Sequence, residues 1–445
     1  MRTPIYDFVQ DYAQGNNLRL HMPGHKGASF LGIESQDITE IEGADNLYDA
    51  TGIIAESESN AGKLFGCRTF YSAEGSSHCL RAMLYLALQH AKNTDRKPLI
   101  AAGRNVHKTF VSAAALLDLE ISWLYGKSTD SYLSCTPSPE ELEAFLQNTP
   151  QLPVAVYLTS PDYLGNLADI AGLSQVCHRH NVLLLVDNAH GAYLRFLKPS
   201  LHPMDLGADL CCDSAHKTLP VLTGGAYLHI SHNAPQQLAE QARTALSLFG
   251  STSPSYLILQ SLDLCNVYLE TYAQKLADFL PHVQELKMQL TQLGYCLYGN
   301  EPLKITVRPK SYGYTGCELA NLLQTQGLFC EFSDPDHLVL MLTPETVEAG
   351  LMRIHSVMAS IPRRSPIIQS PPEFLPKKSC MTIREAVLGA SAVIPVSESL
   401  GKILSGISAG CPPAVPILIC GEEIDENAIA CFQYYGIDTC RVVTK

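Results

Sequence analysis

Three things are missing or scarce in this sequence, and each closes off a class of function. Basic residues are in deficit: 31 Lys and Arg stand against 44 Asp and Glu, a formal charge of −13. Binding to a nucleic-acid backbone needs clustered cations that displace condensed counterions, so no nucleic-acid partner is expected. A negative field suits a cationic small molecule, although net charge speaks mainly to solubility. No apolar run reaches the roughly 20 residues that cross a bilayer, and the opening MRTPIYDFVQDYAQGNN holds no uninterrupted apolar stretch, so neither a membrane span nor a signal segment is predicted. The 15 cysteines are odd in number and scattered, with one adjacent pair at Cys211 and Cys212 and no C-x-x-C unit. That removes the usual zinc and thioredoxin-like signatures. Reduced, mostly buried thiols in a cytoplasmic protein without a metal are the expectation.

What is present is a globular balance, 46% hydrophobic and 17% charged over 445 residues, too long for one ordinary core and suited to a large domain with smaller ones. A short helix, PIYDFVQDYAQ, leads into a Gly/Pro/His-rich loop, HMPGHKG. Leu80, Met83, Leu84, Ala87 and Leu88 recur at helical spacing behind a Gly-Ser-Ser turn. The runs PLIAAG, EISWLYG, PVAVYLTS, NVLLLVDN, ADLCCDSA and GGAYLHI then alternate with helical stretches, which signals βα units and a mainly parallel sheet covered on both faces. Such sheets bind ligands beyond the carboxyl ends of their strands. A long helical region follows Pro254, and Pro281 is predicted to interrupt it. A smaller α/β unit has strands at LKITVRP and LVLMLTP, and RRSPIIQSPPEFLPKKS reads as a linker.

Within this frame the chemistry-bearing residues fall just after strands. Lys217, in Ser214-Ala215-His216-Lys217-Thr218, follows one strand and precedes TGGAY. A lysine amine there can form a Schiff base with an aldehyde, and burial lowers its pKa enough to leave it nucleophilic; as a lone feature it would be an ordinary surface charge. Asp187 ends the strand VLLLVD. It reads either as a cap for the next helix or, if the ligand is pyridoxal phosphate, as the carboxylate that keeps the pyridine nitrogen protonated. Gly75, Ser76 and Ser77 lie where a loop enters a helix, offering N–H groups, hydroxyls and the helix dipole to a phosphate; Ser is equally an ordinary N-cap. Ser214 and His216 could add two ligands. His107, in RNVHK, is a candidate to stack on one ring face, with the small Ala189 at the other, or else a structural strand-end histidine. His190 is a candidate proton carrier, since imidazole titrates near neutral pH, or a residue that only orients its neighbours. Each signal is weak alone. Their order, phosphate loop, stacking His, strand-end Asp, then Lys, fits one ligand.

These motifs resemble the Orn/Lys/Arg decarboxylase family of fold-type I pyridoxal-phosphate enzymes nearly end to end. The likeness includes LHMPGHKG from Leu20, DITEIEGADNLYDATGII from Asp37, RNVHK from Arg104, TSPDYLGNLADI from Thr159, DNAHGAY from Asp187, DSAHKTLP from Asp213 and STSPSYLILQSLD from Ser251. In the tail, MTIREAV from Met381 and CPPAVPILICGEEI from Cys411 are similar to that family's C-terminal domain. The resemblance implies an α/β fold with a mainly parallel seven-stranded sheet. It also implies an N-terminal arm over 1–45, a cofactor-binding large domain over 46–255, an interdomain helix and small α/β domain over 256–365, and a C-terminal decarboxylase-family domain over 366–445. Pyridoxal 5′-phosphate would be joined to Lys217, with Asp187 on the ring nitrogen, His107 stacked on the ring, and Ser76, Ser77, Ser214 and His216 around the phosphate. Ser251 and Thr252, or Ser253, would reach the phosphate of a neighbouring subunit in a homodimer or higher oligomer. One departure stands out: Glu74 precedes Gly75 where the family often has Asn, and an acid beside a phosphate is unfavourable unless its side chain points away.

The implied reaction is decarboxylation of arginine, lysine or ornithine to an amine that feeds polyamine metabolism. Glu42, Asp45, Asp49, Glu331 and Asp334 are candidates to meet the substrate's distal cation, and a guanidinium would favour a bidentate carboxylate. The alternatives are another reaction at the α-carbon on the same scaffold, such as transamination or elimination, or a catalytically silent paralogue.

Overall fold

Short apolar runs bounded by turn residues become strands here because both of their faces are covered. The computed structural model describes residues 1–126, 131–406 and 414–444, so Cys411, Pro412 and Pro413 of the tail motif lie outside the described residues. A seven-stranded sheet has the order β1-β7-β6-β5-β4-β2-β3. Its strands are β1 (Arg68–Ser72), β2 (Leu99–Gly103), β3 (Glu120–Leu124), β4 (Ala155–Thr159), β5 (Leu183–Asp187), β6 (Leu210–Asp213) and β7 (Ala226–Ile230). The apolar runs of the sequence supply β2 to β7; β1, RTFYS, is the strand without such a run. The chain divides into two compact units, Met1–Pro98 with Val154–Val156 and Ile170–Lys275, and Leu99–Pro153 with Tyr157–Asp169 and Leu276–Lys445.

In the first unit β5 and β6 pair in parallel, with Asp187 opposite Cys212. β7 runs antiparallel to β6, with Cys211 opposite His229, and β1 antiparallel to β7, with Thr69 opposite His229. Side chains alternate between the faces of a sheet. Asp187 and Cys212 therefore share one face, while Thr69, His229, Cys211 and Asp213 share the other. The helix Ser76–Asn93 buries Cys79, Leu80, Met83, Leu84, Leu86 and Ala87. The N-terminal helix Pro4–Gln14 starts against Asp263, whose Oδ2 accepts the N–H groups of Ile5 at 2.9 Å and Tyr6 at 3.0 Å. These are donors that a helix start leaves without intrahelical partners.

The second unit contains the parallel pair β2–β3, Leu99 opposite Glu120. It also holds an antiparallel sheet of order β10-β11-β9-β8, with β8 (Cys296–Tyr298), β9 (Lys304–Arg308), β10 (Phe332–Ser333) and β11 (Leu338–Met341). Two helices belong to this sheet's region, Gly316–Thr325, opened by a Thr315/Glu318 capping box, and Val347–Ser360. The tail adds the antiparallel pair β12 (Ser391–Pro395) and β13 (Thr439–Val443), over a core that includes Leu133, Leu164, Val339, Leu404 and Phe432. Arg104 and Glu422 form a buried ion pair at 3.0 Å. As its proline and serine content predicts, the stretch from Pro362 to Lys378 has no regular structure; Arg364 and Ile367 donate their N–H groups to the carbonyls of Tyr312 and Lys310.

The expectation at Pro281 is corrected. The helix Tyr272–Gln292 runs through that proline, and the break falls earlier, after the helix Tyr256–Leu269, where Glu270 N–H turns back to Val267 O. A proline removes one i→i−4 bond, and the flanking bonds of a 21-residue helix carry the chain past it. No helix among the described residues is long and apolar enough to cross a membrane.

Candidate active site

At the carboxyl ends of β5 and β6 the chain makes two turns that bring the predicted residues of the first unit together. After β5, the Asp187 carboxylate folds over its own turn, Oδ1 accepting Ala189 N–H at 3.2 Å and the Cys212 thiol at 3.7 Å. One oxygen thus serves as a local cap, and the buried carboxylate, 5% exposed, is fixed in orientation. After β6, a single helical turn, Ala215–Thr218, presents Lys217. Its Nζ lies 2.9 Å from His190 Nε2, so the amine and the imidazole share a proton position. Since His190 is buried and Lys217 half-buried, that contact is partly shielded from water, which strengthens it.

The Gly-Ser-Ser turn enters the helix Ser76–Asn93 through Gly75, at φ 76° and ψ 173°. That conformation is close to glycine-only, and a Cβ there would meet nothing within 4 Å. Gly75 N–H is held by Gly224 O at 2.7 Å. Ser214 Oγ donates to Ser76 Oγ at 2.7 Å, joining the lysine turn to the helix start. His216 donates from Nδ1 to Gly225 O at 3.0 Å, which sets its tautomer. Glu74 turns to the 251–253 loop, where its Oε1 accepts Ser251 N–H at 2.5 Å. Ser251, Thr252 and Ser253 are exposed.

His107 belongs to the second unit. It is the N-cap of the helix Lys108–Leu117, its Nδ1 accepting Thr109 N–H at 3.1 Å, so a neutral ring carries its proton on Nε2. Among the acids offered for a substrate cation, Asp45 is spent on the N–H groups of Asn46, Thr51, Gly52 and Ile54. Burial would raise its pKa, but those bonds hold it below the ordinary carboxylate value. Asp334 accepts the N–H groups of Asp336 and His337. Glu331 accepts the Tyr163 hydroxyl at 2.8 Å, while Glu42 and Asp49 are exposed.

Sequence reasoning missed Asn188 and Asp213, which sit beside Asp187 and Ser214 and meet through Asn188 Nδ2 and Asp213 Oδ1 at 2.7 Å. The signal was the polar residues at the carboxyl end of each of two apolar strands, LLLVDN and LCCDS. It also missed Cys212 as a partner of Asp187, which only the strand register reveals.

Residues 3–299 match the family described as Orn/Lys/Arg decarboxylase, major domain. The chain is 27% identical to the arginine decarboxylase of Halalkalibacterium halodurans, over 96% of this chain and 92% of that one. It is 27% identical to the arginine decarboxylase of Bacillus subtilis, again over 96% and 92%. Its fold is similar to the lysine decarboxylase LdcF of Francisella novicida, with a TM-score of 0.81 at 16% identity, covering 99% of this chain and 79% of that one.

Proposed function

Because the chain belongs to the Orn/Lys/Arg decarboxylase family and is thereby a fold-type I, pyridoxal-phosphate-dependent decarboxylase, we propose that it removes the α-carboxylate of a basic amino acid and releases the amine. Arginine is placed first, because the arginine decarboxylases align with almost the whole chain; the agmatine formed would feed polyamine metabolism. The observation that carries this reading is the 2.9 Å contact of Lys217 with His190 at the end of β6, beside a helix start entered through a glycine.

The residues present fit the cofactor. Gly75 leaves open space where any other residue would carry Cβ, and the helix N-terminus behind it, with the Ser76 and Ser77 hydroxyls, suits a phosphate. Ser214, joined to Ser76, and His216 complete that cup. When bound, the cofactor supplies an electron sink for the pair left at the α-carbon as carbon dioxide departs. Lys217 would hold it covalently, its amine being the group that a substrate amine would exchange with. Asp187, its orientation set by Ala189 and Cys212, would pair with the ring nitrogen and keep it charged. The family resemblance would also give His107 and Ala189 to the ring. His190 or Lys217 Nζ returns a proton to the α-carbon, the imidazole and amine being within hydrogen-bond reach of one another. Glu42, Asp45, Asp49, Glu331 and Asp334 remain the acids from which the partner of the distal cation would come.

Two further parts of the reading concern assembly and location. Ser251 and Thr252 are exposed on a loop that Glu74 ties down, which supports a dimer in which they reach the neighbour's phosphate. The enzyme is placed in the cytoplasm.

The test is incubation of purified holoenzyme with arginine, lysine and ornithine, with carbon dioxide and amine quantified together. Equimolar carbon dioxide and amine from at least one, arginine fastest, is the expected result. Keto acid without carbon dioxide would make the chain a different enzyme on this scaffold, and no turnover of any of the three would make it a silent paralogue.

A further inference from the structure

Behind the sheet, on the face opposite Asp187, lies a polar cluster that the proposed reaction does not use. Asp213 is fully buried, as are His202 and His229. Asp213 Oδ2 is 2.9 Å from His202 Nε2 and 3.2 Å from His229 Nε2, while Oδ1 accepts Asn188 Nδ2–H at 2.7 Å. His229 Nδ1 reaches Thr69 Oγ1 at 2.9 Å, and Phe65 covers the His229 ring at 4.6 Å between centroids. Burial alone would raise the Asp213 pKa, but His202 and His229 hold it well below the ordinary carboxylate range. Burial likewise lowers that of His229, yet Cys67 and Asp213 leave it above the ordinary value.

One reading of this cluster is a metal site, since ligand atoms of His202, Cys211 and Asp213 lie within 4.8 Å of one another. The tautomer opposes it. His202 Nδ1 accepts Met204 N–H at 3.3 Å, so a neutral ring carries its proton on Nε2, aimed at Asp213. A metal on that nitrogen would have to displace the proton. The cluster is complete as a hydrogen-bonded anion.

Its placement suggests a purpose. Asn188 follows Asp187, and because neighbouring side chains at a strand end point to opposite faces, Asn188 reaches the rear network while Asp187 stays in front. Asn188 N–H also bonds Cys212 O at 3.0 Å. Asp213 precedes Ser214, where the turn with Lys217 starts. We infer that Asp213, clamped by His202 and His229, is a positioning residue that grips Asn188 and thereby fixes Asp187 relative to the Lys217 turn. This rests on the cofactor assignment above. The network touches neither cofactor nor substrate; it sets the spacing of the two groups that hold the ring.

The test uses Asn188→Asp, which keeps the volume but turns the donor into an acceptor, and Asn188→Ala, with Asp213→Asn as a third variant. Each apoprotein is melted and then titrated with pyridoxal phosphate, and the pH titration of the visible band is followed in the reconstituted protein. Both Asn188 variants should bind the cofactor about tenfold or more weakly, shift the band's titration and lower kcat by up to ~10²-fold. KM should change by less than about threefold, since uniform binding is untouched, while the apoprotein also melts lower, because Asn188→Ala leaves Asp213 Oδ1 without its donor and Asn188→Asp sets two buried carboxylates together. Wild-type cofactor affinity and titration in both Asn188 variants would overturn the inference, as would a fall in melting temperature as their only change. If the wild type itself binds no cofactor, the functional reading fails first, so the two failures are distinguishable.

Discussion

Replacing Gly75 by alanine combines backbone strain with a methyl group placed in the space assigned to the phosphate. At φ 76° and ψ 173° a residue with Cβ sits in a region that costs about 1–3 kcal/mol, and nothing within 4 Å would collide with that Cβ. For the protein itself the cost is therefore conformational, and the segment escapes it by swinging the helix entry out of the cup. A strain of about 2 kcal/mol corresponds to about 30-fold in an equilibrium. We expect G75A to weaken cofactor binding by about 10–100-fold, read by titrating apoprotein, with unchanged far-ultraviolet circular dichroism. Gly436 provides the control, since it has φ 71° and equally open space at Cβ but follows the helix Glu426–Tyr434 in the tail. G436A should lower the melting temperature without altering cofactor affinity. Cofactor affinity unchanged in G75A would refute the assignment of Gly75 to the phosphate cup.

Other perturbations test separate parts of the account. His190→Gln should retain the cofactor band but lose ~10²-fold or more in kcat; full activity would remove His190 from proton handling. Arg104→Leu strips Glu422 of a guanidinium that also bonds Pro416 O and Ile417 O, at a cost of about 3–5 kcal/mol, so amides around 416–422 should exchange faster with deuterium, and wild-type protection there would contradict it. Burial raises the Asp263 carboxyl from 3.8 to about 6, against Ser57, Tyr6 and Ile5 hydrogen bonds that lower it. The folded chain thus holds that proton more tightly than the unfolded chain, and stability falls as pH rises across that interval. Asp263→Asn should flatten this slope in urea midpoints measured between pH 4 and pH 7; an unchanged slope would show that another group sets it.

Much of the sheet was legible because β2, β4, β5, β6 and β7 are nearly all apolar, and an apolar run of about five residues between turn signals has few other ways to be buried. β1 was missed for the converse reason: RTFYS mixes polar and apolar residues, as suits a strand at the end of the sheet order. Nor could the sequence show that β7 runs antiparallel, since apolar composition carries no direction. The helix through Pro281 shows a local rule outweighed by tertiary context. At the candidate site, Lys217, Asp187 and His190 stood out because they lie at or just after strand ends within short motifs. Asp213, His202 and His229 were not seen as a group. Eleven residues separate His202 from Asp213 and sixteen separate Asp213 from His229; the register of β6 with β7 brings Asp213 and His229 to one face, and the loop before β6 brings His202 to them.

The most direct measurement is reduction of the freshly purified protein with borohydride, followed by proteolysis and mass spectrometry. A pyridoxyl-phosphate adduct on the peptide containing Lys217, absent from Lys217→Ala, is the predicted result. An adduct on a different lysine, or none on protein shown to contain the cofactor, would contradict the account.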